Sequence, residues 1–322
     1  MSVDATGPAT FVMPYYGDNP QSLHYLRQAV ASIIEQSDPD WRLVIIDDGS
    51  PLHRADRHVL PSHPRIFLLQ QADNRGQGPC RNLGVRWAAE HDATLVLFQD
   101  ADDLAHPRRL ERTRQLLTRQ PEVNFVYSTF TVIDEHDRPV AEHELTPSIR
   151  EILDSHRDAP VTGADAWIRI GTETGYTTLT STVAVRTELA LDQPFPAVRS
   201  SEDSHAWLRM SAAGGVFGYV PSIACHYRVP RDVAGSADRA RVGADYYRIK
   251  AEVDTDGFRA ATAIALDRGT IDPSDVPALW KAFLNRLAAT MRREGQHRLS
   301  EEILGADHAS GPWSGEPSTR SR

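Results

Sequence analysis

Three carboxylates, Asp100, Asp102 and Asp103, fall within four consecutive positions directly after the apolar run Leu95-Val96-Leu97-Phe98. Acids this close repel one another, and the arrangement becomes favourable when a hard divalent cation lies among them. The same residues also read as an acidic loop that caps a helix beginning near Pro107. A second acidic pair, Asp47-Asp48, closes the apolar run Leu43-Val44-Ile45-Ile46. A third, Glu202-Asp203, follows Ser200-Ser201 and precedes Trp207, where it suits either a helix amino terminus or a catalytic base. Between the first two lies Asn74-Arg75-Gly76-Gln77-Gly78-Pro79-Cys80-Arg81-Asn82. Its glycines would let backbone amides approach a phosphate, with Arg75 and Arg81 adding charge, although Gly-x-Gly loops also make ordinary turns.

The elements that must hold these residues alternate between strand and helix. Residues 10–14 read as a strand stopped by Pro14, followed by the turn-forming loop Tyr15-Tyr16-Gly17-Asp18-Asn19-Pro20, whose aromatics suit a flat ring. A helix over 21–36 carries Leu23, Leu26, Val30, Ile33 and Ile34 on one face. Strands follow over 41–46 and 65–70, then a helix after the glycine loop with Leu83, Val85 and Trp87. Residues 93–98 form a strand with no polar alternation, as in a parallel sheet covered on both faces. Pro107 suits the first turn of a helix reaching Gln120. The pattern continues with a strand over 123–134, a hairpin turn at 134–138 into 139–143, helices near 149–156 and 163–170, and strands over 176–186 and 216–227. From about residue 237 the chain reads as helical, with an apolar stripe of Val276, Leu279, Trp280, Phe283, Leu284, Leu287, Ala288 and Met291. That stripe fits packing onto the core or onto a second copy better than a membrane surface, because its polar side mixes charges. Two strands ending in acid at their carboxyl ends fit an open α/β sheet, where ligands bind in the crevice at that edge.

Composition narrows the partners. The 322 residues contain 44 acidic and 35 basic side chains, a net charge of −9, and no basic block to track a nucleic-acid backbone. No transmembrane run or signal peptide is evident, so a cytoplasmic location is expected. Cys80 and Cys225 offer neither a disulfide framework nor zinc spacing. The ends, 1–9 and 305–322, read as disordered.

Taken in order, Pro14-Tyr15-Tyr16, Ile46-Asp47-Asp48-Gly49-Ser50, Asn74-Arg75-Gly76 with Cys80-Arg81-Asn82, Gln99-Asp100-Ala101-Asp102-Asp103, and Ser201-Glu202-Asp203 with Trp207 resemble the successive motifs of family 2 glycosyltransferases of the GT-A fold. The resemblance covers about residues 10–230. It implies a Rossmann-like mixed α/β sheet over 10–235, with a nucleotide-sugar half (10–122) and an acceptor half (123–235), plus a helical extension over 236–304. Pro14, Tyr15, Tyr16 and Asp48 would contact base and ribose, Gly76, Arg81 and Asn82 would lie near ribose or donor sugar, and Asp100, Ala101 and Asp102 would hold the diphosphate. Asp102, Asp103 and, more loosely, His226 would ligate Mn²⁺ or Mg²⁺, with Arg228 at the phosphates. Asp203 would be the base, supported by Glu202. The implied activity is an inverting, metal-dependent, non-processive transfer from a UDP or dTDP sugar to an acceptor hydroxyl on a small molecule, glycan or lipid. The Gln-x-x-Arg-Trp motif of processive synthases is missing, and the C-terminal helices are assigned to acceptor binding or homo-oligomer formation. A nucleotidyltransferase would instead show a glycine-rich signature after the first strand, and a non-catalytic sugar-binding module would have no chemical need for both acidic sets.

Overall fold

The computed structural model describes residues 7–175, 177–231 and 242–305. Seven strands form one mixed sheet: β1 (Ala9–Tyr15), β2 (Trp41–Asp47), β3 (Ile66–Gln70), β4 (Leu95–Phe98), β5 (Phe125–Ile133), β6 (Ala184–Arg186) and β7 (Phe217–Arg228), in the order β3-β2-β1-β4-β6-β5-β7. β1 to β4 are mutually parallel. β6 runs antiparallel to both β4 and β5, and β7 is parallel to β5. The carboxyl ends of six strands and the amino end of β6 therefore share one edge.

All four residues of β4 are buried, as its unbroken apolar sequence requires of a strand covered on both faces. One face is covered by α1 (Pro20–Ile34) and α3 (Arg109–Arg119), through Leu26, Val30, Ile33, Leu110 and Leu117. The other is covered by α2 (Gln77–Glu90), α6 (Thr187–Asp192) and α7 (Glu202–Ala212), through Val85, Ala190, Trp207 and Met210. α4 (Pro147–Asp158) lays Ile149 and Ile152 against Phe130 and Val132 of β5. The short α5 (Ala166–Arg169) runs into a π-helical turn, Ile170–Thr174. Three C-terminal helices, α8 (Tyr246–Asp267), α9 (Val276–Arg293) and α10 (His297–Gly305), build a further core with Trp167 of α5 and Leu208 of α7. Phe283, Leu284, Leu287, Ala288 and Met291, the centre of the expected stripe, are buried within this chain.

Several boundaries differ from the sequence reading for identifiable reasons. Pro14 does not stop β1, which continues to Tyr15 along β2. Its missing N–H falls on the β4 side, where pairing has already ended at Val12, whose carbonyl takes the Gln99 amide (3.0 Å). α3 begins at Arg109, and Pro107 lies in the preceding turn with its carbonyl accepting from Ser37 N–H (2.8 Å). Of the strand expected over 176–186, only Ala184–Arg186 among the described residues pairs into the sheet. Thr180–Thr182 forms a 3₁₀ turn, because the Thr182 hydroxyl donates to the Leu179 carbonyl (2.7 Å) and meets the Thr178 hydroxyl (2.6 Å). Tyr176 lies outside the described residues. The second arm of the hairpin reduces to one bridge, Ile133 to Pro139, before a 3₁₀ turn at Glu142–Glu144. Ala9, assigned to a disordered end, opens β1, and Gly305 closes α10; residues 1–6 and 306–322 lie outside the described residues.

α2 approaches the sheet through Gly84, where a Cβ would sit 2.3 Å from Val12 Cγ1 and 3.0 Å from Ile46 Cδ1. Gly84→Ala should therefore destabilise the protein by about 1–3 kcal/mol through overpacking, outweighing the gain of under about 1 kcal/mol in helix propensity. Urea denaturation showing equal or greater stability would refute this account of the α2 contact.

Candidate active site

A cavity of about 760 Å³ opens along the shared strand edge, within the range of small-molecule sites. Pro14, Tyr15 and Tyr16 line it from the end of β1, Asp100, Ala101 and Asp102 from the turn after β4, Arg81 from α2, Glu202 and Asp203 from the start of α7, and Arg228 from the end of β7. The structure thus gathers five separate sequence segments around one space. Tyr16 is 38% exposed and presents its ring there, whereas Tyr15 is buried and its hydroxyl donates to the His53 carbonyl (2.7 Å). Burial, followed by the fields of Asp47 and Asp18, pushes the Tyr15 phenol up to about 12.

Arg81 joins two of the acidic sets. Its guanidinium is 1% exposed, with Nη2 2.7 Å from Asp100 Oδ1 and Nη1 2.5 Å from Glu202 Oε1. Burial works against the charge, but Asp100 and Glu202 hold the pKa above the ordinary arginine value. Arg81 therefore reaches the cavity already committed to two carboxylates. Glu202 is itself buried, and the chain enters α7 through Ser201, a non-glycine residue in the left-handed region (φ 59°). The next residue, Asp203, lines the cavity. Its Oδ2 accepts from the Thr180 hydroxyl (3.2 Å) and its Oδ1 from Ser204 N–H (2.7 Å).

Other residues expected to contact ligand lie outside the cavity lining or have their polar atoms engaged within the protein. Asn82 does not line the cavity: its amide donates to the Phe195 carbonyl and accepts from Phe195 N–H, both at 2.8 Å, so both ends are spent on backbone. Asp48 is buried and likewise absent from the lining. Its carboxylate accepts from the Arg75 and Gly76 amides (2.8 Å each) and from Gln71 Nε2 (2.9 Å), which shapes the glycine loop. Gly76, at φ 91°, is the residue preceding α2 and is also outside the lining. Arg228 reaches the cavity wall with its polar atoms engaged: Nε donates to the Asp102 carbonyl (2.8 Å), Nη1 to Asp134 O (3.0 Å) and Asp137 (2.6 Å), and Nη2 to Gln28 (3.1 Å). Its plane covers Tyr25 at 4.3 Å. It fastens the acidic turn to β7 at the cavity wall.

The three expected metal ligands do not converge. Asp102 lines the cavity. Asp103 is 1% exposed and accepts from Arg228 N–H (2.9 Å), and His226 is exposed on β7 with Nδ1 paired to the Thr131 hydroxyl (2.7 Å). Among the described residues no group of three or more His, Cys, Asp or Glu side chains could hold a metal by itself. Asp102 nonetheless fits the mode in which a hard cation takes one or two protein carboxylates and draws its other ligands from substrate phosphates and water.

Sequence reasoning missed two contributions. Arg109, within the helix expected from Pro107 to Gln120 and not singled out there, is 1% exposed. Its guanidinium donates to the carbonyls of Phe98 (2.9 Å) and Val183 (2.8 Å) and to Gln99 Oε1 (3.0 Å). The far wall of the cavity comes from α4, α8 and α9, including Glu151, Tyr247, Lys250, Asp254, Arg286 and Glu294. The four-residue spacing of Lys250 and Asp254 within a helical run was the one available signal.

A family model, Glycosyl transferase family 2, matches residues 10–177, just over half of the chain. The chain belongs to glycosyl transferase family 2. Among relatives of this family 2 chain, the succinoglycan biosynthesis protein ExoW of Rhizobium meliloti is 35% identical over 113 residues, 34% of each chain. The Escherichia coli protein WfgD, named a UDP-Glc:alpha-D-GlcNAc-diphosphoundecaprenol beta-1,3-glucosyltransferase, is 23% identical over 39% of this chain and 47% of its own. The chain thus spans less than half the length of either relative. The crystal structure of S. aureus TarS 1-349 in complex with UDP-GlcNAc superposes with a TM-score of 0.54 at 16% identity, covering 92% of this chain and 90% of that one. The fold is GT-A, and the family 2 match ends before Glu202, Asp203 and all three C-terminal helices.

Asp103 supplies a test of the buried turn. Burial, then the fields of Asp102 and Asp100, push its pKa well above the ordinary carboxylate value. A carboxyl raised in this way contributes its stability in full below the unfolded pKa of about 4 and loses it as pH rises through the folded value. Asp103→Asn, which keeps an acceptor for the Arg228 amide, should gain on the order of 1 kcal/mol over wild type near neutral pH. The gain should shrink as pH falls toward about 4. A pH-independent difference in denaturation midpoint would refute the assignment.

Proposed function

We propose that this chain transfers a glycosyl group from a nucleoside diphosphate sugar, of the UDP or dTDP class, to an acceptor hydroxyl in a single inverting, non-processive step. The observation that carries the reading is the Arg81 bridge. One buried guanidinium ties Asp100, at the tip of β4, to Glu202, and so faces the two acidic sets onto one cavity. The exposed Tyr16 ring at the end of β1 is suited to a nucleobase, and Asp100-Ala101-Asp102 to the diphosphate end. TarS, of the same fold, was crystallised with UDP-GlcNAc, which supports this class of donor.

Asp102 would hold a divalent cation, Mn²⁺ or Mg²⁺, shared with the diphosphate. When bound, that cation neutralises charge accumulating on the leaving group. Asp203, held by the Thr180 hydroxyl and the Ser204 amide, takes the proton of the acceptor hydroxyl. The acceptor oxygen forms a bond to the anomeric carbon while the bond from that carbon to the diphosphate oxygen breaks, and the electron pair leaves with the nucleoside diphosphate. Glu202 positions rather than reacts, being buried against Arg81. No helix among the described residues is long and apolar enough to cross a bilayer.

Asp203→Asn should lower the transfer rate by at least about 10²-fold, the scale of a lost general base, while leaving nucleotide affinity within about twofold. Product assays with calorimetry check both, and an unaffected rate removes Asp203 from the mechanism. Asp102→Ala should abolish the Mn²⁺ dependence of UDP binding, and identical wild-type titrations with and without Mn²⁺ would sink the metal role.

A further inference from the structure

The donor-side residues occupy only the strand-edge part of the cavity. Its far wall is built by α4, within the family match, and by α8 and α9, beyond it, and sets Phe283, Leu287 and Met291 among polar and charged side chains. Besides the Arg286–Glu151 pair, it carries a compact ion pair on α8, Lys250 Nζ to Asp254 Oδ2 at 2.6 Å, with side chains 13% and 11% exposed. A buried ion pair is weak evidence for stability, since apolar residues of similar volume usually serve as well. Its place in a cavity wall therefore calls for a binding explanation.

Two further observations bear on what it binds. Asp254 lines the cavity, while its Oδ1 is buried and has no hydrogen-bond donor among the described residues, so the accessible part of the carboxylate is the Oδ2 side shared with Lys250. Burial works against the Lys250 ammonium, but the fields of Asp254, Tyr246 and Asp203 hold its pKa above the ordinary lysine value. Lys250 thus stands within electrostatic reach of the residue assigned as base. The first turn of α8 also brings Tyr246 and Tyr247 into the lining.

Resting on the glycosyl-transfer reading above, we infer that the Lys250–Asp254 pair on α8 is the acceptor-recognition site and that the acceptor is a neutral sugar. An ammonium and a carboxylate side by side match two neighbouring hydroxyls, one giving its oxygen to Lys250 and the other its proton to Asp254. The tyrosine faces suit the C–H face of a pyranose ring. A phosphorylated acceptor is disfavoured because Glu151, Asp203, Asp254 and Glu294 outnumber Lys250 and Arg286 in this part of the lining. Lys250 and Asp254 select the acceptor, and Asp203 takes the proton.

The test uses the full chain with Mn²⁺ and UDP-glucose, UDP-N-acetylglucosamine or dTDP-glucose, measuring nucleotide release. Methyl glycosides of glucose, galactose, mannose, rhamnose and N-acetylglucosamine are compared with methyl glucoside 6-phosphate as acceptors. At least one methyl glycoside should accelerate release in the wild type. Lys250→Met and Asp254→Asn should each raise the KM for that glycoside by about tenfold or more, and Lys250→Arg should recover part of the loss. Calorimetric affinity for the nucleotide should stay within about twofold of wild type, which a merely structural role or a folding failure would not preserve. Unchanged glycoside KM in both variants, acceleration by the phosphorylated glycoside alone, or none by any neutral glycoside overturns the inference while nucleotide binding still supports the donor reading. A wild type that binds neither UDP nor dTDP overturns the donor reading, and the acceptor assignment with it.

Discussion

The acidic turn after β4 stands because three buried guanidinium groups surround it. The turn places three carboxylates within four residues, and charges this close repel one another unless cations stand beside them. Arg81 takes the Asp100 side chain, Arg109 takes the carbonyls of Phe98 and Val183, and Arg228 takes the carbonyl of Asp102. They arrive from α2, α3 and β7, so a turn four residues long is braced from three directions. The protein keeps Asp102 at the cavity by committing its neighbours elsewhere.

The reversed strand β6 provides the second constraint. Because it runs against β4, the segment entering it lies at the same edge as the carboxyl ends of the other strands. The Ser181 hydroxyl there accepts from the Asp100 amide (3.0 Å), and the Thr180 hydroxyl donates to Asp203. Two adjacent hydroxyls thus link the tip of β4 with the start of α7. A threonine-rich stretch that looked like strand is bent because its hydroxyls satisfy nearby backbone.

Legibility followed the range of the interactions. The alternation of strands and helices, the buried nature of β4 and the gathering of acids at strand ends were readable, since each depends on burial pattern and chain direction. The residues that line the cavity from the ends of β1 and β4 were readable for the same reason. Side-chain partnerships were not. Asn82, Asp48 and Arg228 have the chemistry of ligand contacts, and only three-dimensional distances reveal that Phe195, the glycine loop and the Asp134–Asp137 turn already occupy them. Asp103 and His226 are near Asp102 in sequence or motif but face other partners. Arg109 and Lys250 were hidden among ordinary helix charges, because one-dimensional periodicity does not separate a solvated arginine or lysine from one turned inward.

The division of the cavity between two stretches of chain has a consequence for how such proteins diversify. The wall that holds the acids is cross-braced, so nearly every change in it disturbs a buried charge. The wall formed by α8 and α9 meets that lattice chiefly where α8 packs against α7, and it is packed mainly by apolar side chains. Substitutions there can remodel one half of the cavity while the other half keeps its geometry, allowing a lineage to explore new chemistry at one end of the cavity from a fixed starting reagent at the other.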